Sequence, residues 1–411
     1  MGKKKNRLTV YIALGLVLGI AAGAMLSYVE EVNPKISAAA LGAIAAVGEI
    51  YLNLIKTLVV PVVTLSIIAG VISLGEIKKI GTIGIRAMGF YLVTTGIAVT
   101  LGLILANTLH VAGGFVMPDT VEPAPQAQKA DFLQTLVGIF PENILTPFAT
   151  AAMLPVITLS LLIGVGILLA GEQGRPAAAG VESLCQVFLK IMGLIIRLSP
   201  IGVFALITPV VAQQGLEVLL PLGKLAAVVY LAYALHTLTV YALSVRLFAG
   251  ISPGLFFRHM RSAMLFAFSS ASSVGTLPLN MQAVQKLGSQ EQVSSFVLPL
   301  GATVNMDGTA IYQGVCAVFI AQVYGIDLGL SQQLAIVLTA VLASLGTAGV
   351  PGGGVIMLSM VLQSAGLPLE GVGLIYGIDR ILDMGRTVVN VTGDAACCVC
   401  VNAWQKNPDV E

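Results

Sequence analysis

Charge is scarce in this sequence. Only 10% of its 411 residues are Asp, Glu, Lys or Arg, while 57% are hydrophobic. A soluble domain carries about 25% charged residues, so the composition excludes an ordinary water-soluble globule and points to a lipid solvent. The net charge of +1 creates no field that would gather nucleic acid. Histidine is scarce: His110, His236 and His259 stand singly, which argues against a metal or catalytic role for any of them. The five cysteines, Cys185, Cys316, Cys397, Cys398 and Cys400, lie in apolar or small-residue stretches. Their spacing fits neither a disulfide framework nor a zinc site. No nucleophile–base pair or cofactor loop is recognisable, so an enzyme is not expected. Glycine is abundant, at 45 residues, which suits close helix packing in lipid.

Lys3, Lys4, Lys5 and Arg7 precede an apolar run from Leu8 to Val29. A signal peptide has an apolar core of about 7–15 residues. This longer run reads as a first membrane helix with a cytoplasmic N-terminus. Further spans are expected at about Ile36–Leu74, kinked at Pro61, then Ile83–Val111, Ile144–Ala170, Val181–Ala212 and Leu219–Phe248. The fifth of these six contains a Ser199-Pro-Ile-Gly202 break. Lys78, Lys79 and Arg86, and later Arg246, Arg258 and Arg261, mark cytoplasmic ends; the loop through Asp131 is acidic, with a single Lys129.

Beyond residue 250 the pattern changes. The apolar segment Ala263–Ala283 is interrupted by Ser269-Ser-Ala-Ser-Ser-Val-Gly-Thr-Leu-Pro278, and Leu334–Leu362 by Gly346-Thr-Ala-Gly-Val-Pro-Gly-Gly-Gly354. Each half is shorter than the ~20 residues that cross a bilayer. A small-residue tip in mid-segment suggests a hairpin that enters the membrane and returns, which is tolerated only inside protein or along a polar cavity. A polar span follows each hairpin: one carries Asn305-Met-Asp-Gly-Thr309, the other Asp379 to Asp394. Hairpin plus polar helix, occurring twice, is the sign of an internal repeat, inverted if the hairpins enter from opposite sides.

Winding the last segment at about 100° per residue puts Asp379, Asp383, Arg386, Thr387, Asn390 and Asp394 on one face, opposite Ile381, Met384, Val388 and Ala395. Each ionised group at membrane depth costs about 2.5–3.5 kcal/mol, so such a face needs compensation from protein, ion or solute. Helix-gluing salt bridges alone would have little use for the added Asn and Thr. Asn305, Asp307, Asn390 and Asp394 are hard oxygen donors suited to a small hard cation. Gly308 permits local unwinding that would free backbone carbonyls. Arg386 is a planar fork for one carboxylate, and Asp383, one turn away, can face an ammonium. The tips, especially Ser272, Ser273 and Gly352 to Gly354, can offer N–H donors to a second carboxylate. Together they describe an acidic amino acid.

These motifs, with Ser199-Pro-Ile-Gly-Val-Phe-Ala205 and Tyr91, Thr94 and Thr95, resemble the glutamate/aspartate transporter family, the dicarboxylate/amino acid:cation symporters. The likeness covers nearly the whole chain. It implies an all-α polytopic membrane protein of eight transmembrane helices plus two re-entrant hairpins, a homotrimer in the inner membrane with both termini cytoplasmic. Residues 1–80 and 113–215 would form a static scaffold. Residues 81–112 and 216–411 would form a transport domain that moves like an elevator. By resemblance, Arg386 and Thr309, with Thr387 beside them, hold the side-chain carboxylate of aspartate or glutamate. Asp383 takes the α-amino group, Asn390 with Ser272 and Ser273 the α-carboxylate, and Val350 and Gly354 give backbone contacts. Sodium ions would use Asn305, Asn390 and Asp394; Tyr91, Thr94, Thr95, Asn305 and Asp307; and backbone around Thr347 and Thr303–Met306.

The chain departs from some relatives in having Ala271, not arginine, at the first tip, while Arg380 opens the last helix. Proton-coupled relatives have Asn where Asp394 stands, which favours sodium. The alternatives are a proton-coupled, neutral amino acid or C4-dicarboxylate carrier of the same family, or an anion-conducting channel. A neutral substrate would leave Arg386 unpaired, and a dicarboxylate would leave Asp383 without its ammonium.

Overall fold

Long apolar runs become long helices here. A computed structural model describes residues 2–77, 82–115, 137, 140–150, 152–344 and 353–406, and among them regular structure is exclusively helical. The principal helices are α1 (Gly2–Val32), α2 (Pro34–Ile77), α3 (Thr82–Thr108), α4 (Met153–Leu169), α5 (Arg175–Arg197) and α6 (Ser199–Gln214). Then come α7 (Leu219–Phe248), α8 (Pro253–Ser270), α9 (Ser273–Lys286), α10 (Glu291–Val304) and α11 (Asp307–Val323). The last three are α12 (Leu330–Ser344), α13 (Gly353–Ser364) and α14 (Gly371–Lys406). Val10–Glu30, Thr82–Thr108, Gly171–Ile195 and Leu219–Phe248 are long and apolar enough to cross a membrane. Pro61 lies inside α2. The break expected in the fifth span divides it into α5 and α6, and the fourth starts later than expected, after a short helix at Thr146–Thr150.

One group of helices gathers around α2, which packs on α1, α4, α5 and α6. Gly15, Gly19 and Gly23 of α1 repeat every four residues, and a Cβ at any of them would run into α6. Their absence of side chain lets the two backbones close, so that Thr208 Oγ1 donates to Gly19 O at 3.2 Å. A second group gathers around α14, which packs on α3, α7, α8, α9, α10, α11 and α13. Position by position, 389–402 is buried without interruption. Opposite the polar residues of α14, Ile381 is exposed and Ala395 is 0% exposed. Neighbours surround the helix, so polar residues face protein and not one open side. The groups meet where Tyr51 of α2, Ser199 of α6 and Tyr376 of α14 join through hydroxyl bonds of 3.0 and 2.9 Å.

Helices α8 and α9 pack on each other, as do α12 and α13. The first pair turns at Ala271 and Ser272 only; Ser269 and Ser270 end α8, and Ser273 to Pro278 belong to α9. Ser272 caps α9, its Oγ accepting from Gly275 N at 3.2 Å. Ala271 closes α8 in the left-handed region, at φ 46° and ψ 48°. That conformation costs a residue with a Cβ about 1–2 kcal/mol. Ala271→Gly is therefore expected to raise the midpoint of thermal unfolding, read in detergent by tryptophan fluorescence.

Candidate functional site

Arg386 lies deep in the second group and is 4% exposed. Its Nη2 and Nε donate to Asp383 Oδ1 at 2.6 and 3.1 Å, and its Nη1 lies 3.8 Å from Asp379 Oδ1. The guanidinium stacks on the Tyr312 ring of α11, 4.8 Å from its centroid. Arg380 Nη1 reaches the other oxygen of Asp383 at 3.2 Å. The expected pair is thus present but engaged with itself: the fork meant for a carboxylate solute holds Asp383, the group meant for an ammonium. Spacing of three residues on a helix makes that contact natural. Gly354 of α13 faces the guanidinium so closely that a Cβ there would overlap Arg386 Nη1. Thr387 Oγ1 donates back to Asp383 O at 2.8 Å.

One turn further along α14, the column meets a break in the facing segment. Unwinding falls at Asn305 and Met306, between α10 and α11, and not at Gly308, which is helical. Gly308 serves close approach instead: a Cβ on it would strike the backbone carbonyl of Arg386. That contact lets Gly308 N donate to Asn390 Oδ1 at 2.8 Å. Asn305 Nδ2 donates to Asn390 O and to Asp394 Oδ1, both at 2.9 Å. Two acceptors on Nδ2 fix the orientation of the amide. Among the described residues, Asn305 Oδ1 and Asp394 Oδ2 are buried acceptors with no hydrogen-bond partner. The C-terminus of α10, where carbonyls lose their intrahelical donors, ends at the same place. Buried oxygens without donors, beside the negative end of a helix, form an arrangement that a small cation completes.

Asp307 opens α11 and is 0% exposed. Thr95 Oγ1 donates to its Oδ1 at 2.6 Å, and Tyr241 OH to its Oδ2 at 2.8 Å. His236 Nε2 lies 3.2 Å from the same Oδ2. Neither Tyr241 nor His236 was expected here. Five residues on a regular helix are about 140° apart at 100° each; α7 winds as a π-turn over Thr237–Tyr241, which brings both rings to one carboxylate. Such turns recur at functional sites. Nothing in Thr-Leu-Thr-Val-Tyr announces one.

Comparison with known proteins decides what carries these clusters. Residues 8–404 match the sodium:dicarboxylate symporter family. The chain belongs to that family. It is 36% identical, over 98% of its length and 95% of the relative's, to a proton/sodium-glutamate symport protein of Bacillus caldotenax. A proton/glutamate-aspartate symporter of Escherichia coli (strain K12) is 35% identical over 98% of this chain and 94% of its own. A C4-dicarboxylate transport protein of Bacillus subtilis (strain 168) is 31% identical over 96% and 93%. The protein is thus a symporter and not an enzyme.

The symporter's remaining expected site residues are placed as follows. Tyr91 OH donates to Val297 O at 3.1 Å, and the open side of Gly301 faces both that hydroxyl and Asp394 Oδ1. Thr94 Oγ1 donates to Tyr91 O at 3.2 Å, and Thr303 Oγ1 to Leu300 O at 2.8 Å. Met306 Sδ accepts from Thr309 Oγ1 at 3.7 Å and from Asn390 Nδ2 at 3.5 Å. Ser272 and Ser273 stand half-buried at the turn between α8 and α9. Thr347 and Val350 lie outside the described residues.

Proposed function

We propose that this symporter couples inward sodium flow to uptake of aspartate or glutamate. The supporting observation is that α14 carries both the Arg386–Asp383 pair and Asp394, whose Oδ2, like Oδ1 of the neighbouring Asn305 in the α10–α11 break, has no hydrogen-bond partner among the described residues. An acidic amino acid replaces the internal pair: its side-chain carboxylate takes the fork of Arg386, its ammonium takes Asp383, and its α-carboxylate takes the neutral donors of Asn390, Ser272 and Ser273. A neutral solute would break the pair and satisfy only one half of it, leaving a buried charge unpaired at a cost of several kcal/mol. Sodium at Asp394 and Asn305 neutralises the carboxylate and fixes the α10–α11 break against α14, with Asn390 linking the two sites through Gly308 N.

In this reading the two helix pairs are re-entrant hairpins, and eight further spans complete the membrane domain. Residues 1–80 and 113–215 form the scaffold of a homotrimer in the inner membrane, with both termini cytoplasmic. The remainder moves as an elevator. The Tyr51–Ser199–Tyr376 contact lies between the two parts and is remade at each stroke.

A proton-coupled reading has its own support, since relatives are named for protons and a proton can also neutralise Asp394. Uptake of labelled aspartate into proteoliposomes separates the two. A sodium gradient with a protonophore present is expected to drive accumulation, and a pH gradient without sodium to drive none. The reverse outcome would assign the coupling to protons. Asp307 serves a second sodium, held in position by Thr95, Tyr241 and His236. Tyr241→Phe deletes one buried hydrogen bond, worth about 0.5–1.5 kcal/mol. The sodium concentration for half-maximal uptake is expected to rise roughly threefold to tenfold, with the maximal rate at saturating sodium unchanged.

A further inference from the structure

The faces that α8 and α9 bury are mostly apolar: Phe256, Met260, Ala263 and Ala267 on the first, Ala283 and Val284 on the second. Asn280 of α9 is buried among them and reaches a further helix. Its Nδ2 donates to Val391 O of α14 at 3.0 Å. Among the described residues this is the one side-chain hydrogen bond from the α8–α9 pair to another element. Asn280 Oδ1 is buried and has no hydrogen-bond partner among the described residues. Nearer the turn, Thr276 Oγ1 donates to Ser272 O at 2.8 Å. Ser272, Thr276 and Asn280 therefore form one column at four-residue spacing, running from the turn to the tie with α14.

We propose that Asn280 is a positioning residue for recognition of the substrate's α-carboxylate. The inference rests on the reading above, in which Asn390, Ser272 and Ser273 share that group. Asn390 belongs to α14 and the serines to the α8–α9 turn, so the two elements must be held in register. Val391, which takes the Asn280 amide, directly follows Asn390. The carbonyl of Asn390 itself accepts from Asn305 Nδ2 at 2.9 Å. Amides from α9 and from the α10–α11 break thus grip consecutive carbonyls of α14. A carbonyl has two lone pairs, so the extra donor need not cost α14 its own bond. Asn280 is seven residues from Ser273, about 10 Å along α9, and the first turn capped by Ser272 carries the constraint to the serines. Local stability does not account for the residue. An unpartnered buried acceptor costs more than one neutral hydrogen bond contributes, so an apolar side chain of similar size would hold the helices together better. What Asn280 adds is direction: its hydrogen bond fixes where α9 sits along α14, whereas apolar burial is non-directional.

Competition against uptake of labelled aspartate, with the two amides of aspartate as competitors, separates register from packing. Isoasparagine carries an amide in place of the α-carboxylate, and asparagine in place of the side-chain carboxylate. The parent protein is expected to prefer aspartate to both. In Asn280→Leu the preference over isoasparagine should fall roughly threefold to tenfold, the worth of one neutral hydrogen bond. The preference over asparagine, which reports on Arg386, should stay as it was, and the thermal midpoint should be no lower than the parent's. Asn280→Thr keeps a donor and should retain much of the preference over isoasparagine. Should Asn280→Leu fail to fold, Asn280→Ala, which introduces no added bulk, carries the same expectation for the two preferences. An equal fall in both preferences would make Asn280 a packing residue, and unchanged preferences would remove it from recognition; either overturns the proposal. A parent protein that takes isoasparagine as readily as aspartate would overturn instead the reading of the α-carboxylate on which the inference rests.

Discussion

Arg386→Ser is expected to abolish uptake of aspartate and glutamate. The guanidinium is 4% exposed, makes two hydrogen bonds to Asp383 Oδ1 and rests on Tyr312. Arg380 is engaged from the preceding turn with the opposite oxygen of Asp383. Losing a bidentate charge-assisted contact should lower affinity for acidic amino acids roughly a hundredfold or more. Weak binding of a neutral amino acid such as serine should survive, since Asp383 can still meet an ammonium. That residual binding also shows that the variant is folded. Near-normal aspartate affinity in Arg386→Ser, measured by uptake over a range of concentrations, would remove Arg386 from the substrate site.

Asp394→Asn is expected to weaken sodium binding strongly and to make aspartate binding less sensitive to sodium. Asp394 is 1% exposed, and its Oδ1 takes one hydrogen bond from Asn305 while its Oδ2 takes none among the described residues. Arg386, eight residues earlier, is about 12 Å away along the axis and is engaged with Asp383. A carboxylate so placed needs a mobile positive charge, and the amide of Asn has no such need. Sodium alone, without aspartate, should raise the thermal midpoint of the parent protein. In Asp394→Asn that rise should require roughly tenfold more sodium or more, the worth of a charge-assisted contact. An identical sodium-dependent rise in both proteins would contradict the assignment.

Much of the fold was legible because hydrocarbon solvent leaves a coarse mark. Apolar runs of membrane length, separated by Lys and Arg, become α1, α2, α3 and α7, and the first small-residue interruption becomes the turn at Ala271–Ser272. The second, Gly346–Gly354, lies mostly outside the described residues. The polar residues of α14 could be placed together because helical spacing alone does it. What could not be read were partners. Arg386 and Asp383 are near enough to bind each other or a solute, and spacing cannot choose between these. His236 and Asp307 are 71 positions apart, and their contact depends on a π-turn that has no sequence marker. Gly308 was read as a point of unwinding; the position of the Arg386 carbonyl shows that it serves close approach instead. Periodicity placed Ala395 opposite the polar residues but cannot tell a helix at the edge of a bundle from one at its centre, so its burial was not legible.

If acidic substrate and sodium occupy neighbouring sites along α14, linked through Asn390, each must strengthen the other's binding by the same factor. An equilibrium titration of the purified protein with aspartate, at fixed pH and a series of sodium concentrations, measures this most directly. The apparent dissociation constant is expected to fall at least about fivefold as sodium rises, with potassium unable to replace it. A dissociation constant that stays the same at every sodium concentration, and changes with pH instead, would contradict the account.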